Sequence, residues 1–308
     1  MRAIHRLQFE APPSAWSLYS RLAWGRKPAW LPDGAEVPHI EALLPRVRVS
    51  ADHLSAYSAV CGVREQAHVP IAYPHMLAAP LHLAILGAEA FPVRALGLIH
   101  LRNEIVQRRP LPIHDEGSMR VWVAGHRDAD KGQEFDFRSE WQVDGEVVWE
   151  ETSVYLARRR TKSVSNRDAA QRGNRSAKAD DEQGDPEGPS KSTSFRIPPD
   201  TGRRYARVSG DYNPIHLTKT SARMFGFSGA IAHGMWSLAR CAAELDQELL
   251  SVPCQLSVSF KQPIFLPTWV LLQHWRRVDG CGLSLRDAHA DRLHLLGRLT
   301  RLDHAPSG

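Results

Sequence analysis

Apolar residues recur at spacings of three and four in two places: Met76, Ala79, Leu83 and Leu86, then Met235, Leu238, Ala242, Leu245 and Leu249. This spacing predicts one amphipathic helix in each half of the chain. After each helix come strand-like segments rich in β-branched and aromatic residues. In the first half these are Leu98 to Val106, Ser118 to His126, and Phe135 to Val143 turning through Asp144-Gly145 into Glu146 to Leu156. Asp-Gly between alternating runs is a strong hairpin signal. The second half repeats the plan with Gln255 to Lys261, Thr268 to Arg277, an Asp279-Gly280 turn, and Arg292 to Leu302.

The halves share a local motif as well. Tyr57-Ser-Ala-Val-Cys-Gly62 echoes Tyr205-Ala-Arg-Val-Ser-Gly210, and the same offset sets His68 beside His216. Pro74-His75-Met76 opens the first helix as His233-Gly-Met235 opens the second. A helix and a following antiparallel meander, given twice, predict an α+β chain of two units whose sheets join side by side. Residues 160–194 are polar and rich in Gly, Pro and Ser, a composition that buries too little surface to order itself and reads as a linker. The expected organisation is an N-terminal extension over 1–45 containing Trp16, Trp24 and Trp30, a first unit over 46–159, the linker, and a second unit over 195–304.

Composition narrows the class. With 308 residues, 43% hydrophobic and 24% charged, the chain has material for two ordinary cores. Cys61, Cys241, Cys254 and Cys281 form no C-x-x-C pair, which argues against a zinc knuckle or a redox dithiol. Neither a signal-type N-terminus nor an apolar run of membrane-spanning length is present, so a cytoplasmic location away from membranes is expected. The net charge is +5 and the pI about 9.2. Its basic residues are scattered, without a basic helix or ribbon, so nucleic acid is not indicated. A basic surface also suits the phosphates of coenzyme A or an acidic acyl carrier protein.

Candidate chemistry concentrates after Gly210. Asp211 and His216 lie five residues apart around Asn213-Pro214. Near neutral pH one is an anion and the other a neutral acceptor, so a water held between them can lose and regain a proton. Pro214 stiffens the loop and Gly210 permits a turn. Thr218 reads as the N-cap of a short helix through Met224, ended by Gly226. Gly234, eighteen residues after His216, falls in the first turn of the second long helix. Amides there lack partners, and a glycine lets a thioester oxygen approach. The competing structural readings are an Asx-turn at Asp211, a structural histidine and glycine capping. His233 reads as structural, at the helix start. Gly226-Phe-Ser-Gly229 is one position short of a serine-hydrolase elbow, and neither G-x-G-x-x-G after a strand nor H-E-x-x-H occurs.

Tyr205 to Leu217, Gly226-Phe227 and Ile231-Ala-His-Gly-Met-Trp236 together resemble the MaoC-like hydratase/dehydratase family. That family includes the (R)-specific enoyl-CoA hydratases and the hydratase 2 domain of peroxisomal multifunctional enzymes. The resemblance implies a hot-dog fold, a long helix wrapped by an antiparallel sheet, and, with the repeat, a double hot-dog. It implies Asp211 and His216 as the water-activating pair, Gly234 as donor to the thioester carbonyl and Asn213 as the loop-shaping residue. It further implies a lyase without metal or redox cofactor, interconverting trans-2-enoyl and (3R)-hydroxyacyl thioesters of coenzyme A or acyl carrier protein.

Two departures stand out. Thr218 replaces an aspartate frequent in the family, and Val63 stands where the first unit would need its own. His68 and His75 are seven residues apart against eighteen for His216 and Gly234. One active site per chain is therefore expected, with the degenerate unit making room for a long or bulky acyl chain. Arg203, Arg204 and Lys261 are candidate phosphate contacts, solvated surface charge being the competing reading. An acyl thioesterase and a non-catalytic acyl-thioester binding protein are the rival functions on such a fold. A homodimer is compatible with a chain already complete in itself.

Overall fold

The computed structural model describes residues 4–15, 17–19, 27–32, 34–64, 67–158 and 190–302. Its strands are β1 Ile4–Gln8, β2 His39–Arg48, β3 Leu98–Gln107, β4 Glu116–Ala129, β5 Gly132–Val143, β6 Glu146–Arg158, β7 Ser190–Ile197, β8 Cys254–Phe260, β9 Thr268–Arg277, β10 Gly280–Asp287 and β11 Leu293–Arg301. The helices are α1 Ala51–Cys61, α2 Pro74–Gly87, α3 Thr201–Ser209, α4 Lys219–Met224, α5 Gly234–Ala242 and α6 Gln247–Leu250, with a 3-10 turn at Pro214–His216.

All eleven strands form one sheet in the order β1-β2-β4-β5-β6-β3-β8-β11-β10-β9-β7. Among the described residues only the β1–β2 pair is parallel. The order is near-symmetric about β3 and β8, which pair antiparallel from Arg102 opposite Ser259 to Gln107 opposite Cys254. On one side a six-stranded unit wraps α2, and on the other a five-stranded unit wraps α5. This is a double hot-dog. Helix α2 is buried on nearly every side, from Met76 and Ala78 to Leu81, His82 and Ile85, as a helix surrounded by sheet must be.

The repeated Tyr-x-x-Val-x-Gly motif is a helix end. Tyr57 and Tyr205 are buried in α1 and α3, and each helix stops on a left-handed glycine, Gly62 at φ 69° and Gly210 at φ 70°. Glycine takes this conformation without the cost a side chain imposes. The stretch from Tyr205 to Ser209 is thus helical, and the loop proper begins at Gly210.

Several expected boundaries shift. The extension expected to end at residue 45 is interrupted by β2, where Pro45 offsets the pairing with β4 between Leu44 and Val47. Proline has no N–H to give the ladder, so it hid a strand. Strand β7 begins inside the expected linker; polar Ser, Lys and Thr at a sheet edge carry little apolar signal. Linker residues 160–189 lie outside the described residues. The second long helix ends at Ala242, because the Asp246 side chain accepts from the Glu248 amide and starts α6. Leu245 and Leu249 therefore fall outside α5. Strand β10 completes the hairpin after Asp279-Gly280.

Polar ties lock the two units together. The His53 Nε2–H donates to the Val208 carbonyl at 2.7 Å, which leaves Nδ1 to accept from the Tyr73 hydroxyl at 2.8 Å. Trp236 Nε1 donates to the Val60 carbonyl at 3.0 Å. All four cysteines are buried and unpaired. Among the described residues no helix is long and apolar enough to cross a membrane.

The first unit also buries a polar network. Glu151 accepts from His75 Nδ1 at 2.8 Å and from the Asn103 amide at 2.6 Å, and the nearby His82 ring is bonded to Ser139 Oγ at 2.8 Å. Burial pushes the His82 pKa down to about 3. Burial alone would raise the Glu151 pKa, but His75, His82 and Asn103 outweigh it and hold it at about 2. An unfolded chain protonates this histidine below about pH 6.5 and this carboxylate below about 4.3, where the folded chain refuses both protons. Stability should therefore decline on acidification. The urea-unfolding midpoint is expected to fall between about pH 7 and about pH 5, and further toward about pH 4; a midpoint constant over that range contradicts a neutral buried His82.

Candidate active site

The loop from Gly210 to His216 is built by local hydrogen bonds. Asp211 Oδ1 accepts from the Asn213 amide at 3.0 Å, and Asn213 Oδ1 accepts weakly from the Ile215 amide at 3.4 Å. The Asx-turn is present, and it orients the carboxylate rather than excluding a chemical role for it. Pro214 opens the 3-10 turn that presents His216, whose Nδ1–H donates to the Ile231 carbonyl at 2.8 Å. The tautomer is thereby set with a lone pair on Nε2. Thr218 caps α4 in a reciprocal capping box with Ser221, and Gly226 follows with φ 85°. Ser221 Oγ also donates to the Pro214 carbonyl at 2.6 Å, tying the short helix back to the loop.

Gly202 sets how close α3 comes to that loop. A Cβ placed on it would lie 2.0 Å from the His216 carbonyl oxygen. Only a glycine fits there, so the first turn of α3 rests directly on the backbone of His216. Arg203 donates to the Leu217 carbonyl at 3.0 Å, so this candidate phosphate contact is engaged with the loop exit. Arg204 is half-buried on α3 and Lys261 half-buried just past β8.

His233 occupies the N-cap of α5 without a side-chain capping bond. Its ring stacks on His216 at 3.7 Å and packs against Tyr205 at 4.9 Å, while Nε2 donates to the Asp211 carbonyl at 3.0 Å. It clamps the loop against the helix start. Gly234 follows at the first helical position, where geometry leaves the amide without an intrahelical acceptor. The Phe260 ring covers it, 3.1 Å from where a Cβ would stand.

The Asp211 side chain retains 41% exposure while His216 is 8% exposed. Burial acts to raise the Asp211 pKa, but His233, His216, the Tyr19 hydroxyl and the Asn213 amide outweigh it and hold it below the ordinary value. Burial lowers the His216 pKa, and burial with the adjacent His216 pushes that of His233 to about 3. At neutral pH the site holds one anion beside two neutral imidazoles. Donor atoms of Asp211, His216 and His233 lie within 4.8 Å of one another. One bridging water spans such a gap between Asp211 and His216.

The first unit lacks counterparts of both the Asp211 carboxylate and the Gly234 amide. Val63 follows Gly62 where Asp211 follows Gly210. Tyr73, edge-on to Tyr57 at 5.2 Å, takes the place of His233 packed against Tyr205. This pairs Pro74, at the first helical position of α2, with Gly234, one residue off the alignment that sets His75 there. Proline has no N–H, so the amide donor is gone as well as the carboxylate. His68 survives beside a cavity of about 30 Å³ lined by Val63, Val69, Ala239 and Ala242.

Comparison with known proteins follows the same outline. A model described as a MaoC like domain matches residues 180–278. Along nearly its whole length the chain is similar to 3-hydroxyacyl-thioester dehydratase X of Mycobacterium tuberculosis, 30% identical over 283 residues, covering 92% of this chain and 96% of that protein. The chain belongs to the MaoC-like dehydratase family. The crystal structure of that relative, HtdX, superposes with a TM-score of 0.71 at 28% identity, over 85% of this chain and all of that one. A Mycobacterium tuberculosis protein described as having a double hotdog fold superposes at 0.54 with 11% identity, over 84% of this chain and 95% of that one, a likeness of fold. This MaoC-like dehydratase is thus a lyase, and its family motif sits on the loop and helix start described above.

Two contributors to the site escape a reading of the sequence. Gly202 looks like an ordinary loop glycine, and Tyr19 lies 192 residues from Asp211, to which its hydroxyl is bonded at 2.6 Å. Gly202→Ala is expected to displace the His216 backbone and destabilise the chain by about 1–3 kcal/mol. The check is chemical unfolding together with turnover, and a variant with unchanged activity contradicts the tight approach of α3.

Proposed function

We propose that this MaoC-like dehydratase adds water to trans-2-enoyl thioesters and removes it from (3R)-3-hydroxyacyl thioesters, with Asp211 and His216 as the pair that handles the water. The observation that carries this reading is an oriented carboxylate and an imidazole lone pair facing one gap, beside a helix N-terminus with a free amide position. In hydration the water oxygen bonds to C3 while a proton leaves it for the pair, and a proton is returned to C2. The double bond becomes a single bond, and charge collects transiently on the thioester oxygen. The Gly234 N–H and the positive end of α5 stabilise that charge. Dehydration runs the same steps backwards. Asn213 shapes the loop.

No metal or redox cofactor enters the scheme, since proton transfer and oxyanion stabilisation suffice. The thioester is carried by coenzyme A or acyl carrier protein, with Arg204 on α3 and Lys261 past β8 as candidate phosphate contacts. The name of the Mycobacterium tuberculosis relative, a 3-hydroxyacyl-thioester dehydratase, supports the substrate class. One site per chain acts, in the cytoplasm, with the first unit accommodating the acyl chain; a homodimer is compatible with this plan.

Loss of enoyl-thioester absorbance with crotonyl-CoA and longer enoyl-CoAs tests the reading, whereas release of free thiol identifies a thioesterase. Asp211→Asn is expected to lower kcat for hydration by about 100- to 10 000-fold. Wild-type turnover in that variant overturns the assignment.

A further inference from the structure

The N-terminal segment reaches from the first unit into the site of the second. Upstream it is pinned by β1 on β2 and by the Phe9 amide donating to the Leu43 carbonyl at 3.0 Å. Downstream the Gln133 side-chain amide holds both the N–H and the carbonyl of Leu31, at 2.7 and 3.2 Å. Between these anchors, Ala15 and Tyr19 lie at the end of α3 and the loop that follows it. Leu18 is buried at 4% exposure, and a Cβ on Gly210 would touch that of Ala15 at 3.4 Å. The Tyr19 ring stands edge-on to Tyr212 at 6.4 Å and directs its hydroxyl to Asp211 Oδ1.

That oxygen is doubly used. It accepts from Tyr19 at 2.6 Å and from the Asn213 amide at 3.0 Å. A carboxylate oxygen has two lone pairs, so Oδ1 is saturated and Oδ2 is left for other work. We propose that Tyr19 is a positioning residue of the active site, brought by the N-terminal segment to fix the Asp211 carboxylate so that Oδ2 alone meets the reacting water. This rests on the assignment of Asp211 and His216 as the water-handling pair.

The phenol stays a donor. Burial first, and then the Asp211 charge, raise its pKa. Other groups acting on Asp211 are His216 from the 3-10 turn and His233 from the α5 cap. His100 of β3, Tyr155 of β6 and Tyr205 of α3 feel its charge from further away. None of these replaces a donor lost from Oδ1, because His233 Nε2 is committed to the Asp211 carbonyl and His216 Nδ1 to Ile231.

The test is Tyr19→Phe in the full chain, compared with wild type and Asp211→Asn. Loss of a hydrogen bond to a charged group predicts a kcat for crotonyl-CoA hydration lower by about 10- to 100-fold, with KM little changed. The acid limb of the kcat–pH profile should move to higher pH, because the anion has lost a donor. A second measurement needs no substrate: carbon-13 NMR of the aspartate carboxyls, with the Asp211 signal identified by its absence in Asp211→Asn, should show that carboxyl titrating at higher pH in Tyr19→Phe. An unmoved Asp211 titration overturns the role of Tyr19. Wild-type hydration by Asp211→Asn instead removes the assignment of the pair on which it rests.

Discussion

The pairing of β3 with β8 is the constraint on which the rest of the molecule depends. Joined from Arg102–Ser259 to Gln107–Cys254, these strands fuse two wrapped helices into one continuous sheet. The fusion sets α1 against α3 across the same seam, where His53 reaches Val208 and Trp236 reaches Val60. Separate hot-dog domains would leave this face to a partner chain. Here it is covered covalently, so the loop after α3 is held by contacts from both halves. The precision of the site is therefore a property of the whole sheet.

Much of this was legible in residue pattern, and the exceptions have physical causes. Period-two alternation marks β3 to β6, β8, β9 and β11, where one face is buried and the other wet. It fails at β2, where Pro45 breaks the ladder, and at β7, where an edge strand has little to bury. The helix after Gly234 reads as longer than it is because Leu245 and Leu249 continue its spacing into α6, although Asp246 has already capped a new start. Local motifs survive well: Tyr-x-x-Val-x-Gly is a helix terminus, and Thr218 caps where its sequence position says it should. Asp211 and His216 lie close together, and Gly234 directly follows the His233 ring stacked on His216. Tyr19 does not belong to any local pattern, since its partner is made a neighbour only by the folded sheet. Gly202 is similar, because its importance lies in a carbonyl fourteen residues away that a Cβ would strike.

The two halves differ at corresponding places on one scaffold. The second unit keeps its carboxylate, imidazole and helix-start amide. The first has Val63 and Pro74 at the corresponding places, which removes an acceptor and a donor in two substitutions of opposite chemical kind. Its interior is nevertheless not purely apolar. The Glu151 carboxylate accepts there from His75 and Asn103, with His82 3.9 Å away, out of reach of solvent. Burying such groups is tolerable only when their hydrogen bonds are met, so this network constrains the first unit as tightly as the loop constrains the second.

The unequal treatment of the Asp211 oxygens has a geometric corollary. A carboxylate free to rotate presents two equivalent bases and can address either side of a planar substrate. One that is held at Oδ1 by Tyr19 and Asn213 has a handedness, set by the direction from which Oδ2 points. The His216 lone pair, fixed by Ile231, fixes a second direction. In the proposed scheme these two directions and a carbonyl held at the Gly234 amide supply three points, the minimum needed to tell the faces of a flat alkene apart. On that scheme, stereochemical outcome is written into hydrogen bonds that never touch the substrate.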